Sequence, residues 1–237
     1  NELTIKFDKH QNYDFLGLIS EPTIVITIEI PTELSKDVCI KLDSGEIYID
    51  GKKTIIKSPE DAVENGVCYL SEDRKRYGLL LNKSVTDNSI LASLNNYVKF
   101  GFINDKKARE KAKNKNEMLK TKTPSMAQKL KNLSGGNQQK VIIARWLLRD
   151  SDIFIFDEPT RGIDIGAKSE MYTLMQDLAR NGKSIIMISS ELSEITRLSD
   201  RVIVMCEGRI TKELPIEEAT QENIMKYAMK REGDANG

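Results

Sequence analysis

Two short apolar runs in the C-terminal half constrain the fold more than any other feature of the sequence. Residues 153–156 and 185–188 are mostly β-branched or aromatic and are bounded by polar residues, a pattern typical of parallel strands buried on both faces. Between them, residues 168–180 carry apolar side chains at helical spacing, and Gly182 supplies a C-terminal stop. A third run follows at residues 202–205. This alternation predicts repeated strand-helix-strand units and therefore a parallel α/β sheet.

The charge balance argues against a nucleic-acid binder that relies on a basic face. The 237 residues include 36 basic and 36 acidic side chains. Residues 104–122 are rich in lysine and arginine, but acidic residues interrupt the run and no aromatic residue in it could stack on bases. We therefore interpret the run as a solvated helix face. The apolar runs are much shorter than the roughly 18 residues that a membrane span needs, and three widely spaced cysteines indicate a reducing, cytosolic compartment.

Other segments give coarser predictions. Residues 73–131 are predicted to form a mostly helical insertion, and residues 216–230 one more amphipathic helix. Near the N-terminus, residues 23–30 have isoleucine at every second position, which predicts a β-strand. Residues 45–50 predict a strand that runs into a turn at Asp50-Gly51.

The most specific segment, residues 133–145, reads Leu-Ser-Gly-Gly-Asn-Gln-Gln-Lys-Val-Ile-Ile-Ala-Arg. Ser134 and two glycines precede a helix, so that backbone N–H groups and a hydroxyl can point at an anion at the positive end of the helix dipole. Gly135 and Gly136 allow a phosphate to approach the backbone closely. The alternative is an ordinary helix cap at Ser134 before an amphipathic helix.

A second segment places two adjacent carboxylates at the end of a predicted strand. Phe156-Asp157-Glu158-Pro159-Thr160 follows the run at residues 153–156. Asp157 is suited to bind a metal ion, and Glu158 to polarise a water molecule. Alone, the segment is also consistent with a simple turn that ends the strand.

Together, these two segments resemble the nucleotide-binding domain of an ABC ATPase. Four longer segments are similar to the second nucleotide-binding half of the fused ATPases of bacterial monosaccharide importers, such as those for ribose and galactose. These segments are SEDRKRYGL, LSGGNQQKV, FDEPTRGIDIGAK and ISSEL. The resemblance covers about residues 45–230 and implies a P-loop NTPase-like α/β core with a parallel sheet. A helical subdomain, residues 73–145, would carry the signature motif.

The resemblance also implies roles for individual residues and a requirement for ATP and Mg²⁺. The implied catalytic residues are Glu158 and Ser190, which stands where the family has a histidine. The implied metal ligands are Asp157 and Glu72, which stands where the family has the glutamine of its Q-loop. The residues implied to contact nucleotide or the facing domain are Ser134, Gly135, Gly136, Asn137, Gln138 and Asp164.

Glu72 and Ser190 each have a plainer alternative. Glu72 could form a surface ion pair with Arg74 or Lys75, and Ser190 could cap the end of a strand. Both residues are usual in the resembling half of the sugar ATPases, which favours that subfamily and argues against a self-contained catalytic site.

One element of the family pattern is missing from the sequence. No Gly-x-x-x-x-Gly-Lys-Ser/Thr phosphate loop occurs in it. Residues 1–44, where the loop is expected, contain a single glycine, Gly17. We therefore divide the chain into an atypical segment at residues 1–44, an ABC ATPase-like domain at residues 45–230 and a tail at residues 231–237.

The resemblance implies an ATP-binding subunit or half of a carbohydrate importer on the cytoplasmic face of a bacterial membrane. Its partners would be a second nucleotide-binding domain, integral-membrane permease subunits and, indirectly, a sugar-binding protein, with no nucleic acid. The chain would offer its signature helix to ATP held by a partner, and alone we expect it to be inactive as an ATPase. The alternative is a catalytically inactive interaction or regulatory module. A DNA-repair or chromosome-maintenance ATPase is disfavoured because the chain lacks long coiled-coil heptads.

Overall fold

The computed structural model describes residues 25–29, 38–39, 47–206 and 209–229. In this part of the chain, apolar and β-branched residues form the central strands. Most of the segment at residues 1–44 and all of the tail at residues 231–237 lie outside the described residues. The strands are β1 (Val25–Glu29), β2 (Val38–Cys39), β3 (Ile47–Ile49), β4 (Lys52–Thr54), β5 (Val67–Leu70), β6 (Val98–Lys99), β7 (Phe102–Ile103), β8 (Ile153–Asp157), β9 (Ser184–Ser189), β10 (Arg201–Cys206) and β11 (Arg209–Pro215).

The α-helices alternate with these strands in the second half of the chain and cluster in its middle. They are α1 (Pro59–Glu64), α2 (Val85–Ile90), α3 (Asp105–Met118), α4 (Gly135–Leu148), α5 (Ile165–Arg180), α6 (Leu192–Leu198) and α7 (Gln221–Ala228). No helix among the described residues has the length and apolar character needed to cross a membrane.

The chain divides into two compact units. Unit 1 comprises Asn1–Val67, Asp152–Glu158 and Met175–Gly237, and unit 2 comprises Cys68–Ser151 and Pro159–Leu174. Each unit is therefore assembled from separate stretches of the sequence.

Unit 1 contains a sheet in which five strands lie in the order β11, β10, β1, β9, β8. The two predicted buried strands are confirmed: β8 and β9 pair in parallel, and Phe154, Phe156 and Met187 are almost completely buried. The helix between them is also confirmed. It ends before Gly182, whose φ of +83° favours glycine.

The third predicted strand exists as β10, but its neighbours differ from a simple repeat of parallel units. The N-terminal strand β1 lies between β9 and β10 and is antiparallel to both. On its other side, β10 pairs antiparallel with β11. Consequently β8, β9 and β10 run in the same direction, but the sheet is mixed. The α/β class is confirmed, and β10 runs in the direction of β8 and β9 without pairing directly with β9.

Local turn and capping chemistry explains two further boundaries in unit 1. Asp50 and Gly51 have φ values of +52° and +68° and connect β3 to β4, which confirms the predicted turn. The C-terminal helix is shorter than predicted, because residues 216–218 form a 3-10 turn. Helix α7 begins only after Thr220, whose hydroxyl accepts the N–H of Asn223 at 3.2 Å.

Unit 2 is built around helices α2, α3 and α4 and contains an apolar cluster. Ile90, Tyr97, Ala108 and Ala112 are buried there, with Leu94, Met126 and Leu148 packed against them. The buried residues of α3 are Ala108, Ala112 and Asn116, so its lysines and arginines lie at the surface. This confirms the interpretation of residues 104–122 as a solvated helix face.

Candidate functional site

The signature segment in unit 2 forms the start of α4, with Ser134 in the N-cap position. The Ser134 side chain accepts no hydrogen bond from a first-turn N–H. Instead, its hydroxyl accepts a bond from Nδ2 of Asn137 at 2.8 Å. Because the first N–H groups of an α-helix have no partner within the helix, this exposed end can donate to an anion. Ser134 thus occupies the N-cap position of the plainer alternative, but without the side-chain hydrogen bond that an ordinary serine cap makes.

Asn137 and Gln138 hold this end of α4 in place from within unit 2. Oδ1 of Asn137 accepts the N–H of Lys122 at 2.7 Å. Gln138 is buried, and its side-chain amide donates to the carbonyls of Leu130 and Leu133 at 3.0 and 3.1 Å. In this structure, both predicted nucleotide-contacting side chains orient the backbone that presents Ser134.

One turn further along α4, the buried Lys140 makes an interaction that the sequence analysis missed. Its Nζ lies 2.7 Å from Oε2 of Glu170 on α5 and donates to the carbonyl of Lys120 at 3.3 Å. The hydrogen bond from Lys140 is the largest influence on Glu170 and lowers the pKa of its carboxyl below the ordinary value. The signal in the sequence that could have indicated this buried lysine is its position directly before the apolar residues of α4.

Close packing favours glycine at both positions of the motif. A Cβ on Gly136 would lie 3.0 Å from Cβ of Ala167. A Cβ on Gly135 would lie 2.5 Å from Nη2 of Arg74 and 3.2 Å from the carbonyl oxygen of Gly162. The segment that follows β8 therefore packs directly against the first turn of α4.

Asp164, predicted to face another domain, caps α5 in this structure. Its Oδ1 accepts the N–H of Ala167 at 2.9 Å, and its carbonyl accepts the N–H of Lys168 at 2.9 Å. The side chain is nevertheless exposed, so it also lies at the surface. The acidic residue at the helix N-terminus suits the local dipole.

Glu72, a predicted metal ligand, forms an ion pair with Arg161 in unit 2. The alternative of a surface ion pair with Arg74 or Lys75 is wrong in its partner. Arg74 instead turns inward and donates to the backbone carbonyls of Arg161 and Gly162. Burial lowers the pKa of Arg74, opposed by the nearby carboxylate of Asp73.

The predicted catalytic pair lies in unit 1 at the ends of neighbouring strands. Glu158 follows β8 with a φ of +44°, a left-handed conformation that is unfavourable for a residue other than glycine. Its backbone N–H donates to the carbonyl of Ile188 at 2.9 Å, and its Oε1 accepts the N–H of Ser190 at 2.8 Å. The structure therefore brings Glu158 and Ser190 together, through the serine backbone rather than its hydroxyl.

A buried polar pair, also missed by the sequence analysis, supports this edge of unit 1. The hydroxyl of Ser189 donates to Oε2 of Glu194 and accepts the N–H of Glu191, both at 3.0 Å. Ser189 and Glu194 are each 1% exposed. These bonds fix the turn that follows β9 and with it the backbone of Ser190.

The other predicted metal ligand, Asp157, is the last residue of β8 and is half-buried. Among the described residues, no group of three or more His, Cys, Asp or Glu side chains is arranged to hold a metal ion. Mg²⁺ in phosphate-handling proteins is usually bound by one or two carboxylates together with the substrate phosphates. The carboxylate of Asp157 has the donor chemistry for that kind of site.

Comparisons with known proteins agree with this arrangement. The family profile described as ABC transporter matches residues 33–161. A putative ribose/galactose/methyl galactoside import ATP-binding protein of Burkholderia ambifaria is 53% identical over 192 residues, which are 81% of this chain and 37% of that protein. A protein of the same description from Geobacillus kaustophilus is 56% identical over 188 residues, 79% of this chain and 37% of its own length. The chain thus spans little more than a third of these relatives.

Solved structures show the same fold at lower sequence identity. The ADP conformation of the ATP-binding cassette MJ1267 has a TM-score of 0.66 at 18% identity, covering 90% of this chain and 100% of that one. A dimeric post-hydrolysis state of the cassette MJ0796, bound to ADP and Pi, has a TM-score of 0.60 at 23% identity and covers 73% of this chain and 74% of that one. These similarities confirm the predicted ABC ATPase fold.

Proposed function

Because the chain belongs to the ABC transporter family of ATP-binding domains, we propose that it is the ATP-binding half of a bacterial monosaccharide importer. Its relatives from Burkholderia and Geobacillus are named for the import of ribose, galactose and methyl galactoside. The four sequence segments that resemble the second half of such fused ATPases support the same assignment. In this proposal the chain works on the cytoplasmic side of the membrane, bound to permease subunits, and hydrolysis of ATP with Mg²⁺ is coupled to sugar uptake.

The observation that carries the proposal is the exposed start of α4. Ser134 is exposed and bonds to Asn137 instead of capping the first turn, so first-turn N–H groups remain as donors for phosphate oxygens. The sequence has no phosphate loop, which in this family holds the nucleotide. We therefore propose that ATP is held by the loop of a second nucleotide-binding domain and that α4 completes the site from the opposite side.

Roles for the remaining predicted residues follow from this proposal. Gly135 and Gly136 allow the phosphates to reach the helix backbone, while Asn137 and Gln138 fix its direction. Asp164 lies at the surface that meets the partner domain. In unit 1, Asp157 is a proposed Mg²⁺ ligand, and Glu158 and Ser190 are the proposed hydrolytic residues. In unit 2, Glu72 is separately proposed as a Mg²⁺ ligand.

Sugar uptake by a complete transporter tests the proposal. We expect cells in which the full-length gene is the only source of this activity to take up labelled ribose or galactose. Ser134→Arg should abolish that uptake, because a bulky cation fills the space in front of α4. Ser125→Arg, the same change at another exposed serine, is the matched control and should retain uptake. Equal uptake by both variants at equal protein levels would contradict the proposal.

A further inference from the structure

Arg74 is a buried cation in unit 2 whose hydrogen bonds go to main-chain carbonyls. It is 8% exposed. Its Nη1 donates to the carbonyl of Arg161 at 3.0 Å and its Nη2 to the carbonyl of Gly162 at 3.3 Å. A buried charge is costly unless hydrogen bonds compensate it. Because the guanidinium presents its donors in a rigid fork, these bonds define the position of both carbonyls.

The same guanidinium packs against the first residue of the signature helix. The space that a Cβ of Gly135 would occupy lies 2.5 Å from Nη2 of Arg74, closer than real Cβ contacts. Arg74 therefore touches both the start of α4 and the 161–162 backbone. Glycine at position 135 therefore leaves room for the guanidinium.

A second side chain from the same segment contacts the same loop. Glu72, two residues before Arg74, pairs with the guanidinium of Arg161. Both members of this pair are substantially exposed, at 42% and 64% of their side-chain surface, so the pair contributes little stability. It does add a second point of attachment between residues 72–74 and residues 161–162.

We infer that Arg74 is a positioning residue that holds the loop of residues 160–164 against the start of α4. The loop leads directly to Asp164, and α4 begins after Ser134. The inference therefore assigns Arg74 the task of keeping these two predicted contact points in a fixed relation. Its consequence for ATP turnover rests on the proposed function, whereas the contact itself does not.

Hydrogen exchange on the purified chain tests the contact. We expect Arg74→Met to accelerate exchange at least tenfold for the amides of Ile163 and Ala167, which bond within the loop and to Asp164. Amides in the middle of α4 should be unaffected. Arg76→Met, a change at an exposed arginine of the same segment, should leave the loop protected. Unchanged exchange in Arg74→Met would overturn the inference.

A double-mutant cycle provides an independent test that does not depend on ATP. We expect Gly135→Ala to lower the urea midpoint of the chain, because the new methyl group displaces Arg74. In the Arg74→Met background, the same substitution should lower the midpoint by less than half as much. If Arg74→Met does not fold, Arg74→Lys takes its place in the cycle. Equal shifts in the two backgrounds would overturn the inference.

Kinetics of the complete transporter separate positioning from mere stability. Arg74→Met should lower kcat for ATP about tenfold and leave KM for Mg-ATP within about twofold, because the partner's loop holds the nucleotide. Arg74→Lys should recover part of the lost kcat. Normal turnover by a variant with accelerated loop exchange would overturn the positioning role. A wild-type transporter without ATPase activity would instead contradict the proposed function, and the exchange result would still decide the contact.

Discussion

The start of α4 and the end of β8 carry the two most specific segments of the sequence, but they differ in how their polar groups are used. At α4, Ser134 bonds to Asn137 and leaves first-turn N–H groups without a side-chain cap. At β8, the carboxylate of Glu158 accepts the N–H of Ser190. Unit 2 therefore presents donors outward, whereas unit 1 uses its candidate catalytic carboxylate to hold its own backbone.

The comparison shows that two motifs of one family, within one chain, can differ in whether their polar groups already form hydrogen bonds. A helix start with open donors is ready for an anionic ligand. The carboxylate of Glu158 accepts one backbone N–H through Oε1, which orients the group, although a carboxylate has further lone pairs that can bind water. Because Ser190 replaces the family histidine and the sequence has no phosphate loop, we expect the chain to contribute to ATP turnover mainly through α4.

The largest expected effect is the contrast between Ser134→Arg and Glu158→Gln in sugar uptake and ATP turnover by the complete transporter. Ser134→Arg should lower both by about a hundredfold or more, the loss expected when reacting groups are misplaced by about 1 Å. Glu158→Gln should lower them by less than about tenfold, or about 1.4 kcal/mol, because Ser190 has already replaced the family histidine beside it.

Both variants must be compared at equal expression, with Ser125→Arg as the control for the bulky substitution. If Glu158→Gln proves as inactive as Ser134→Arg, this half hydrolyses ATP itself. The contrast between the two regions would then be wrong.

The sequence predicted both regions because their signals are local. The apolar run before Asp157 and the serine and glycines before α4 indicate a strand and a helix by residue type and spacing alone. The pairing of β10 was not predictable in this way. Its neighbour β1 comes from near the N-terminus, and strand order depends on contacts that no local pattern specifies.

The contacts of Arg74 and Glu72 were beyond sequence reasoning for the same reason. Local spacing favoured an ion pair between Glu72 and a cation two or three residues away. The partner in the structure, Arg161, is 89 residues distant. The carbonyls that accept from Arg74 are 87 and 88 residues distant. A buried arginine with backbone partners has the same local signature as a surface one.

The second prediction concerns ATP binding by the isolated chain. Without a phosphate loop and its lysine, the β- and γ-phosphates lose charge-assisted hydrogen bonds worth roughly 1.5–3 kcal/mol each. We expect a Kd for Mg-ATP no tighter than about millimolar, roughly −4 kcal/mol, and negligible turnover. Isothermal titration calorimetry measures this directly. Micromolar binding would show that the open donors of α4, or another segment, suffice without a partner.

The smallest expected effect sharpens the comparison at α4, through the ion pair between Lys140 and Glu170. Because Lys140 lowers the pKa of Glu170 below its ordinary value, the pair stabilises the folded chain above that value, near 4.3. The stabilisation is lost as the pH falls through the lowered pKa. Glu170 is about half exposed, so we expect the pair to contribute no more than about 1 kcal/mol to the free energy of unfolding.

Urea unfolding of wild type and Glu170→Gln should show a difference in the free energy of unfolding at pH 7 that shrinks towards pH 3.5. The exposed pair of Lys113 and Glu117 is the matched control, and Glu117→Gln should cost less at every pH. A difference between wild type and Glu170→Gln that does not change with pH would show that Lys140 holds α4 without help from the charge of Glu170.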